Sequence, residues 1–179
     1  MKTTDRKNNS ESGFTMVELL VAIAILGIII MIAIPNLITF RQNAQLSAAT
    51  RELFSGFQQA KMTAIKRNIN CTITFGENVG GTTYDYIVYV ESGAEGNNFK
   101  HDSDDEIIIS RTLEQSVEID YALLPFPVNE NGNPSIAFSP FGLPRDKNGK
   151  LGNGTIKVKN PYRTKNLELS IVGNVKITS

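Results

Sequence analysis

The sequence has little of what a catalytic centre is usually built from. Its 179 residues include one cysteine, Cys71, and one histidine, His101. A single cysteine excludes an intrachain disulfide, and two such residues cannot make up the Cys and His ligand set of a structural zinc site. No phosphate-cradling glycine loop is present either. The expectation is a protein that is not an enzyme, with no catalytic residue, no cofactor and no metal. Net charge is missing as well, since 18 basic residues match 18 acidic ones. That balance hides a segregation along the chain. Residues 77–130 hold 12 acids against Lys100 and Arg111, whereas residues 145–179 hold eight bases against Asp146 and Glu168.

One long apolar run is present. Gly13-Phe14-Thr15-Met16-Val17-Glu18 leads without a break into Leu19 to Ile34, behind a short, polar, basic leader. From Phe14 to Ile34 is 21 residues, about 31 Å of helix, close to the thickness of a bilayer core. An acid in hydrocarbon is expensive, about 2.5 to 3.5 kcal/mol on insertion scales at the helix centre, so Glu18 reads as a functional residue. A cleaved secretory signal is the plain alternative. Against it, the run exceeds the roughly 7 to 15 residues of such an apolar region, Glu18 interrupts its start, and no small-residue exit site follows.

Beyond the run, Pro35 removes one helical hydrogen bond and is expected to kink a helix that then continues. From Arg41 to Arg67 the positions Leu46, Ala49, Leu53, Phe57, Ala60 and Ala64 recur at three- and four-residue steps, which gives one stripe to pack on a sheet. Gly56 is a weak point costing about 1 kcal/mol relative to Ala, and Asn68 to Asn70 is a stop. From Cys71 onward the pattern changes to short β-like runs at 71–75, 83–91, 106–112, 117–121, 135–139, 155–159, 167–172 and 175–178, separated by Gly, Asn and Pro. In the first of these, alternation puts Cys71, Ile73 and Phe75 on one face, so Cys71 reads as a small buried hydrophobe. Such a series suits an antiparallel sheet or a small sandwich, and the whole reads as an α+β fold.

The remaining polar clusters are read conservatively. Asp102, Asp104, Asp105 and Glu106 lie in an Asn-rich loop with Asn97, Asn98 and His101. They offer oxygens to Ca²⁺, but without the spacing and glycine of an EF-hand loop they read as solvated charge. Asn129, Asn131, Asn133, Asp146 and Asn148 are turn formers beside Gly132 and Gly149. In Thr155 to Lys159 alternation buries Ile156 and Val158 and exposes Lys157 and Lys159, and Lys176 points outward from the last strand. With Arg163 and Lys165 in the connecting turn, these bases could meet phosphates. A solvated face, or a docking surface for an acidic neighbour, are the alternatives, and Tyr162 alone gives little support for stacking on single strands.

The segment from Gly13 to Glu18 with its apolar run resembles the prepilin signature of type IV pilins and type II secretion pseudopilins. The resemblance implies cleavage between Gly13 and Phe14 by prepilin peptidase, methylation of the new Phe14 amine, and pairing of Glu18 with the amine of a neighbouring subunit. The stretches Ile136 to Gly142, Gly154 to Val158 and Leu169 to Ile177, with a hairpin turning at Gly173-Asn174, look like the β domain of minor pilins and pseudopilins of the GspH/FimT group. Some relatives carry an arginine after the glycine of that hairpin; here it is Asn174, which counts against a DNA-binding role borrowed from them.

The expected organisation is a leader at 1–13, a membrane and assembly helix at 14–38, an amphipathic helix at 39–68 and an antiparallel β domain at 69–179. The expected function is a minor subunit of a type IV pilus or type II secretion pseudopilus. The alternative is a DNA-binding minor pilin using Lys157, Lys159, Arg163, Lys165 and Lys176. Implied partners are prepilin peptidase, other pilins or pseudopilins, an inner-membrane assembly platform and, before assembly, membrane lipid. The implied location is the bacterial inner membrane, crossed once, with the β domain in the periplasm or outside. Replacing Gly13 with a bulky residue should leave unprocessed precursor, seen on a gel as a band heavier by the 13 leader residues.

Overall fold

The computed structural model describes residues 13–92 and 99–178; leader residues 1–12, and Asn97 and Asn98 of the acidic loop, lie outside the described residues. The chain divides into two compact units, one ending at Thr39 and the other beginning at Phe40. A single helix, α1 (Met16–Arg67, 52 residues), contributes to both.

In the first unit every residue from Gly13 to Ile38 is exposed, which is how an apolar helix looks when its solvent is lipid or other helices. It is long and apolar enough to cross a membrane. Pro35 lies inside it. Near the proline, Asn36 Nδ2 donates to the Ile32 carbonyl at 3.2 Å and Thr39 Oγ1 to the Pro35 carbonyl at 3.1 Å, so these polar side chains bond back to their own helix.

In the second unit, the rest of α1 buries the stripe read from the sequence: Leu46, Ala49, Leu53, Phe57, Ala60 and Ala64. Thr50 joins it by returning its hydroxyl to the Leu46 carbonyl at 2.7 Å. Gly56 is a close approach rather than a weak point, because an added Cβ would lie 3.3 Å from Tyr86 Cε2. The helix stops where Asn68 takes a left-handed φ of 55° and Ile69 N donates to the Ala64 carbonyl at 3.2 Å, a Schellman-type ending.

Strand β1 (Cys71–Phe75) follows at once and becomes the centre of a five-stranded antiparallel sheet. A small hairpin, β2 (Asn78–Val79) and β3 (Thr82–Thr83), leads to β4 (Tyr86–Val90) and β5 (Glu106–Arg111). After β6 (Glu118–Ile119) come β7 (Ser135–Phe138), β8 (Pro144–Arg145), β9 (Gly154–Lys159), β10 (Thr164–Leu169) and β11 (Val175–Thr178). The first sheet has the order β5-β4-β1-β7-β8, and a four-stranded sheet has the order β11-β10-β9-β6. The Cys71, Ile73 and Phe75 side of β1 joins the core with α1, and Ile156, Val158, Leu167 and Leu169 of the second sheet complete it. Phe57 stands edge-on to Phe138 at 6.2 Å between centroids, and Phe75 stacks on Phe126 at 6.0 Å. The other side of β1 is buried too, through polar contacts: Thr72 Oγ1 reaches Glu91 at 2.5 Å and Thr74 Oγ1 lies 3.0 Å from Ser135 Oγ.

Several readings change. The run expected at 83–91 is strand only at Tyr86–Val90, with Thr83 in the small hairpin, and that expected at 117–121 only at Glu118–Ile119. The strand expected at 167–172 is Thr164–Leu169. Asn160 Oδ1 accepts from Tyr162 N at 2.9 Å and Arg163 N at 2.7 Å, closing the turn early and setting Thr164 opposite Lys159. Lys165 therefore belongs to β10 and not to the connecting turn. The hairpin β2–β3 and the two-residue β8 had no pattern long enough to read. Replacing Phe57, which has no exposed surface, with Ala should destabilise the domain by about 3 to 5 kcal/mol, measured as a lower unfolding midpoint in urea.

Candidate functional site

The candidate assembly site begins where α1 begins. Gly13 and Phe14 precede the helix and are exposed. Thr15 sits at the N-cap, and Glu18 Oε2 accepts from Thr15 N at 3.0 Å and from Thr15 Oγ1 at 2.9 Å. In return Thr15 Oγ1 accepts from Glu18 N at 3.3 Å. This is a capping box: a Thr and a Glu three residues later satisfy free amide donors of the first turn. The carboxylate also lies at the positive end of the helix dipole. Thr15 was missed in reading the sequence, although Thr-x-x-Glu ahead of an apolar run is the signal for such a box. The arrangement fixes the Glu18 acid one turn from the Gly13–Phe14 bond and at the head of a helix otherwise lined by exposed Leu, Ile, Val and Met.

The C-terminal bases are brought together only in part. Lys157, Lys159 and Lys176 share the outward face of the second sheet, since Lys157 stands opposite Asn166 and Glu168 opposite Lys176. Acids are interleaved with them. Glu168 lies between Thr155 and Lys176, and Lys159 Nζ stands 3.7 Å from both Glu118 Oε1 and Asp120 Oδ2. Lys165 is opposite Val158, on the face that carries Leu167 and Leu169, and so leaves the group. Arg163 is exposed in the turn before β10.

Comparison with known proteins follows the same two regions. The family model for the type II transport protein GspH matches residues 49–174. The chain belongs to the GspH family. The prokaryotic N-terminal methylation motif matches residues 8–34, the stretch that contains Gly13, Phe14, Thr15 and Glu18. Together these make the chain a member of the minor pilin and pseudopilin family with a prepilin-type amino terminus and an anchoring helix. Membership implies processing by prepilin peptidase and assembly with other pilins. A crystal structure of the type IV minor pilin FimU from Pseudomonas aeruginosa strain PAO1 is similar at a TM-score of 0.45 and 12% identity, over 74% of this chain and 92% of that one. No curated protein matches the chain.

In this GspH-family chain the other candidate groups have structural partners. Among the described residues, no group of three or more His, Cys, Asp or Glu side chains could hold a metal ion. Glu106 turns away from the acidic loop to pair with Arg67 at the end of α1, and that hydrogen bond holds its carboxyl below the usual range. Asp105 uses its two oxygens on backbone amides, Ser92 N at 2.9 Å and Asp102 N at 3.0 Å. His101 lies edge-on to Tyr89 at 5.4 Å. Asn129 is a turn former, accepting from Asn131 N and Asn133 N at 3.0 Å each, but it is also buried. Asn131 and Asn133 in turn donate to the two oxygens of buried Glu77, at 2.9 and 2.8 Å. Cys71 has no exposed surface, and burial pushes its thiol up to about 12. Because the thiolate is the nucleophile, a raised value leaves almost none of it at pH 8. Iodoacetamide at pH 8 should therefore leave the folded protein unlabelled and label Cys71 only after unfolding, as read by intact mass.

Proposed function

We propose that this chain is a minor structural subunit of a type IV pilus or type II secretion pseudopilus, and that its work is mechanical. The supporting observation is the capped carboxylate of Glu18 at the head of an exposed apolar helix. In hydrocarbon a carboxylate is tolerated when an opposite charge and hydrogen bonds compensate it. The capping box supplies hydrogen bonds from within the chain but no positive charge. Cleavage between Gly13 and Phe14 creates one, the Phe14 amine, and a neighbouring subunit's amine can then meet Glu18. Before cleavage the helix holds the subunit in the inner membrane, in contact with lipid and the assembly platform, with the β domain on the periplasmic or outer side. After cleavage and methylation of Phe14 the helix joins a bundle of like helices, where its exposed Leu and Ile side chains find apolar neighbours.

The DNA-binding alternative has less behind it. The shared face of Lys157, Lys159 and Lys176 is broken by Glu168 and Glu118, Lys165 lies elsewhere, and Asn174 stands where some relatives have arginine. Duplex binding across a salt series should accordingly be weak and little changed when these lysines are replaced. Steep salt-sensitive binding that loses about one unit of slope per lysine removed would reverse that order.

The pairing account is tested with two substitutions at one position. Glu18→Gln keeps a side chain that can close the capping box but removes the charge, whereas Glu18→Ala removes both. Both variants should fold and be processed, and both should be absent from the sheared fibre fraction on immunoblots. Normal incorporation of Glu18→Gln would show that the cap, and not the charge, is what assembly requires.

A further inference from the structure

Two turns of the β domain share one design. In Ser139-Pro140-Phe141-Gly142-Leu143, Gly142 N donates to the Ser139 carbonyl at 2.8 Å and Ser139 N to the Leu143 carbonyl at 3.0 Å. In Ser170-Ile171-Val172-Gly173-Asn174, Gly173 N donates to the Ser170 carbonyl at 2.9 Å and Ser170 N to the Asn174 carbonyl at 2.9 Å. The glycines have φ values of 71° and 75°, and both serine hydroxyls bond within their own turns. The turns are locked side by side against the end of α1. A Cβ on Gly173 would lie 2.4 Å from the Gly142 carbonyl oxygen, a Cβ on Gly142 would lie 2.8 Å from Ile65 Cδ1, and Lys61 Nζ donates to the Gly173 carbonyl at 2.9 Å.

The tips of these rigid turns are apolar and open to solvent. Phe141 is 83% exposed, Ile171 and Val172 are 51% and 53% exposed, and Met62 and Ile65 of α1 are exposed beside them. Turn tips usually carry polar residues, and contiguous exposed apolar surface marks interaction sites. The charge of this platform is net positive: Arg67 pairs with Glu106 and Lys176 stands opposite Glu168, but among the described residues no acid forms an ion pair with Lys66. The segments that build it, 58–67, 138–143 and 170–176, contain Lys61, Lys66, Arg67 and Lys176 and no acid.

A surface of opposite sign occurs on the same chain. Between Glu114 and Leu123, Tyr121 and Leu123 are exposed beside Glu114, Glu118 and Asp120, and Lys159 stands 3.7 Å from Glu118 and from Asp120, which leaves the strap net negative. Tyr121 is held upright by donating its hydroxyl to Asp85 Oδ1 at 2.6 Å. This strap meets α1 at Gln45 through Ser116, with 2.8 Å between Oγ and Oε1, whereas the twin turns meet it at Lys61. Sixteen residues of helix separate those heights, about 24 Å along the axis.

We propose that the twin-turn platform of one subunit docks on the acidic strap, residues 114–123, of a second copy of this chain. The proposal rests on the assembly reading above and deepens it. Two different patches, apolar at the centre and opposite in net rim charge, make a heterologous contact, which joins neighbouring copies without the two-fold symmetry of a closed dimer. The offset between the patches displaces each copy along its neighbour's helix.

The test is disulfide cross-linking of the full chain in detergent micelles, with Phe141→Cys and Leu123→Cys made on separately tagged copies. Cys71 remains buried and, if it stays unlabelled, reports that each variant is folded. Mixing the two variants under mild oxidation should give a heterodimer severalfold above that of an exposed control, Thr82→Cys, and high salt should weaken it. Lys66→Glu should reduce the product, and adding Glu118→Lys on the other copy should restore it. A product no stronger than the control overturns the proposal. So does a Phe141→Cys homodimer as the main product, which would mean like patches meet, or capture in host membranes of a protein of another mass in place of a second copy. Fibre incorporation is followed in parallel. Loss of the cross-link with normal incorporation removes only this contact, whereas a retained cross-link with no incorporation of the wild-type chain removes the assembly reading.

Discussion

The β domain depends on one seam, the buried stripe of α1 from Leu46 to Ala64. No disulfide can brace a chain with one cysteine, so the two sheets are held by what they bury against this helix and against each other. The seam alternates large and small residues. Leu46, Leu53 and Phe57 fill space, while Ala49, Gly56, Ala60 and Ala64 let strands approach closely, and the Tyr86 ring packs against Gly56. The same helix continues toward the amino terminus with no buried side at all. One element therefore meets two solvents, and the change from an all-round apolar surface to a single apolar stripe falls between Ile38 and Leu46.

Periodicity made much of this legible. The helical stripe was readable because six apolar positions keep helical spacing over almost twenty residues, and the long strands were readable because they alternate or run apolar between turn residues. What escaped notice was set by contacts of a few residues. The early start of β10 follows from Asn160 gathering two amides, and β8 exists because Pro144 and Arg145 happen to lie beside β7. The one-sided reading of β1 gave way for a related reason. Every residue of Cys71–Phe75 is buried, because Thr72 and Thr74 on its second side meet Glu91 and Ser135, and sequence alternation carries no information about a second cover.

At the amino terminus the sequence pointed to Glu18 through the cost of a charge in lipid, and the structure added the local reason the acid can be kept there. Thr15 satisfies it with two hydrogen bonds before any partner arrives. For the basic C-terminal region the order was reversed. A charge count along the chain suggested a cationic face, but strand pairing decides which side chains are neighbours, and it set Glu168 opposite Lys176 and Glu118 opposite Lys159. Lys165 shows the limit plainly, since the early start of β10 took it out of the connecting turn and set it on the face opposite the other lysines.

The contacts that finish the seam come from far along the chain. Asn160 bonds to Gln42 across 118 positions and Gly173 accepts from Lys61 across 112. During synthesis α1 emerges first, yet Leu167 and Leu169, which help to cover it, arrive among the last residues. Loops of that length close slowly, and until they do the cover over the apolar core is incomplete. An anchoring helix then has a second use, because a chain tethered by its first segment cannot diffuse freely into aggregates while its last hairpin is still to come. The helix that leaves the ribosome first is the one whose burial is completed only at the end of the chain.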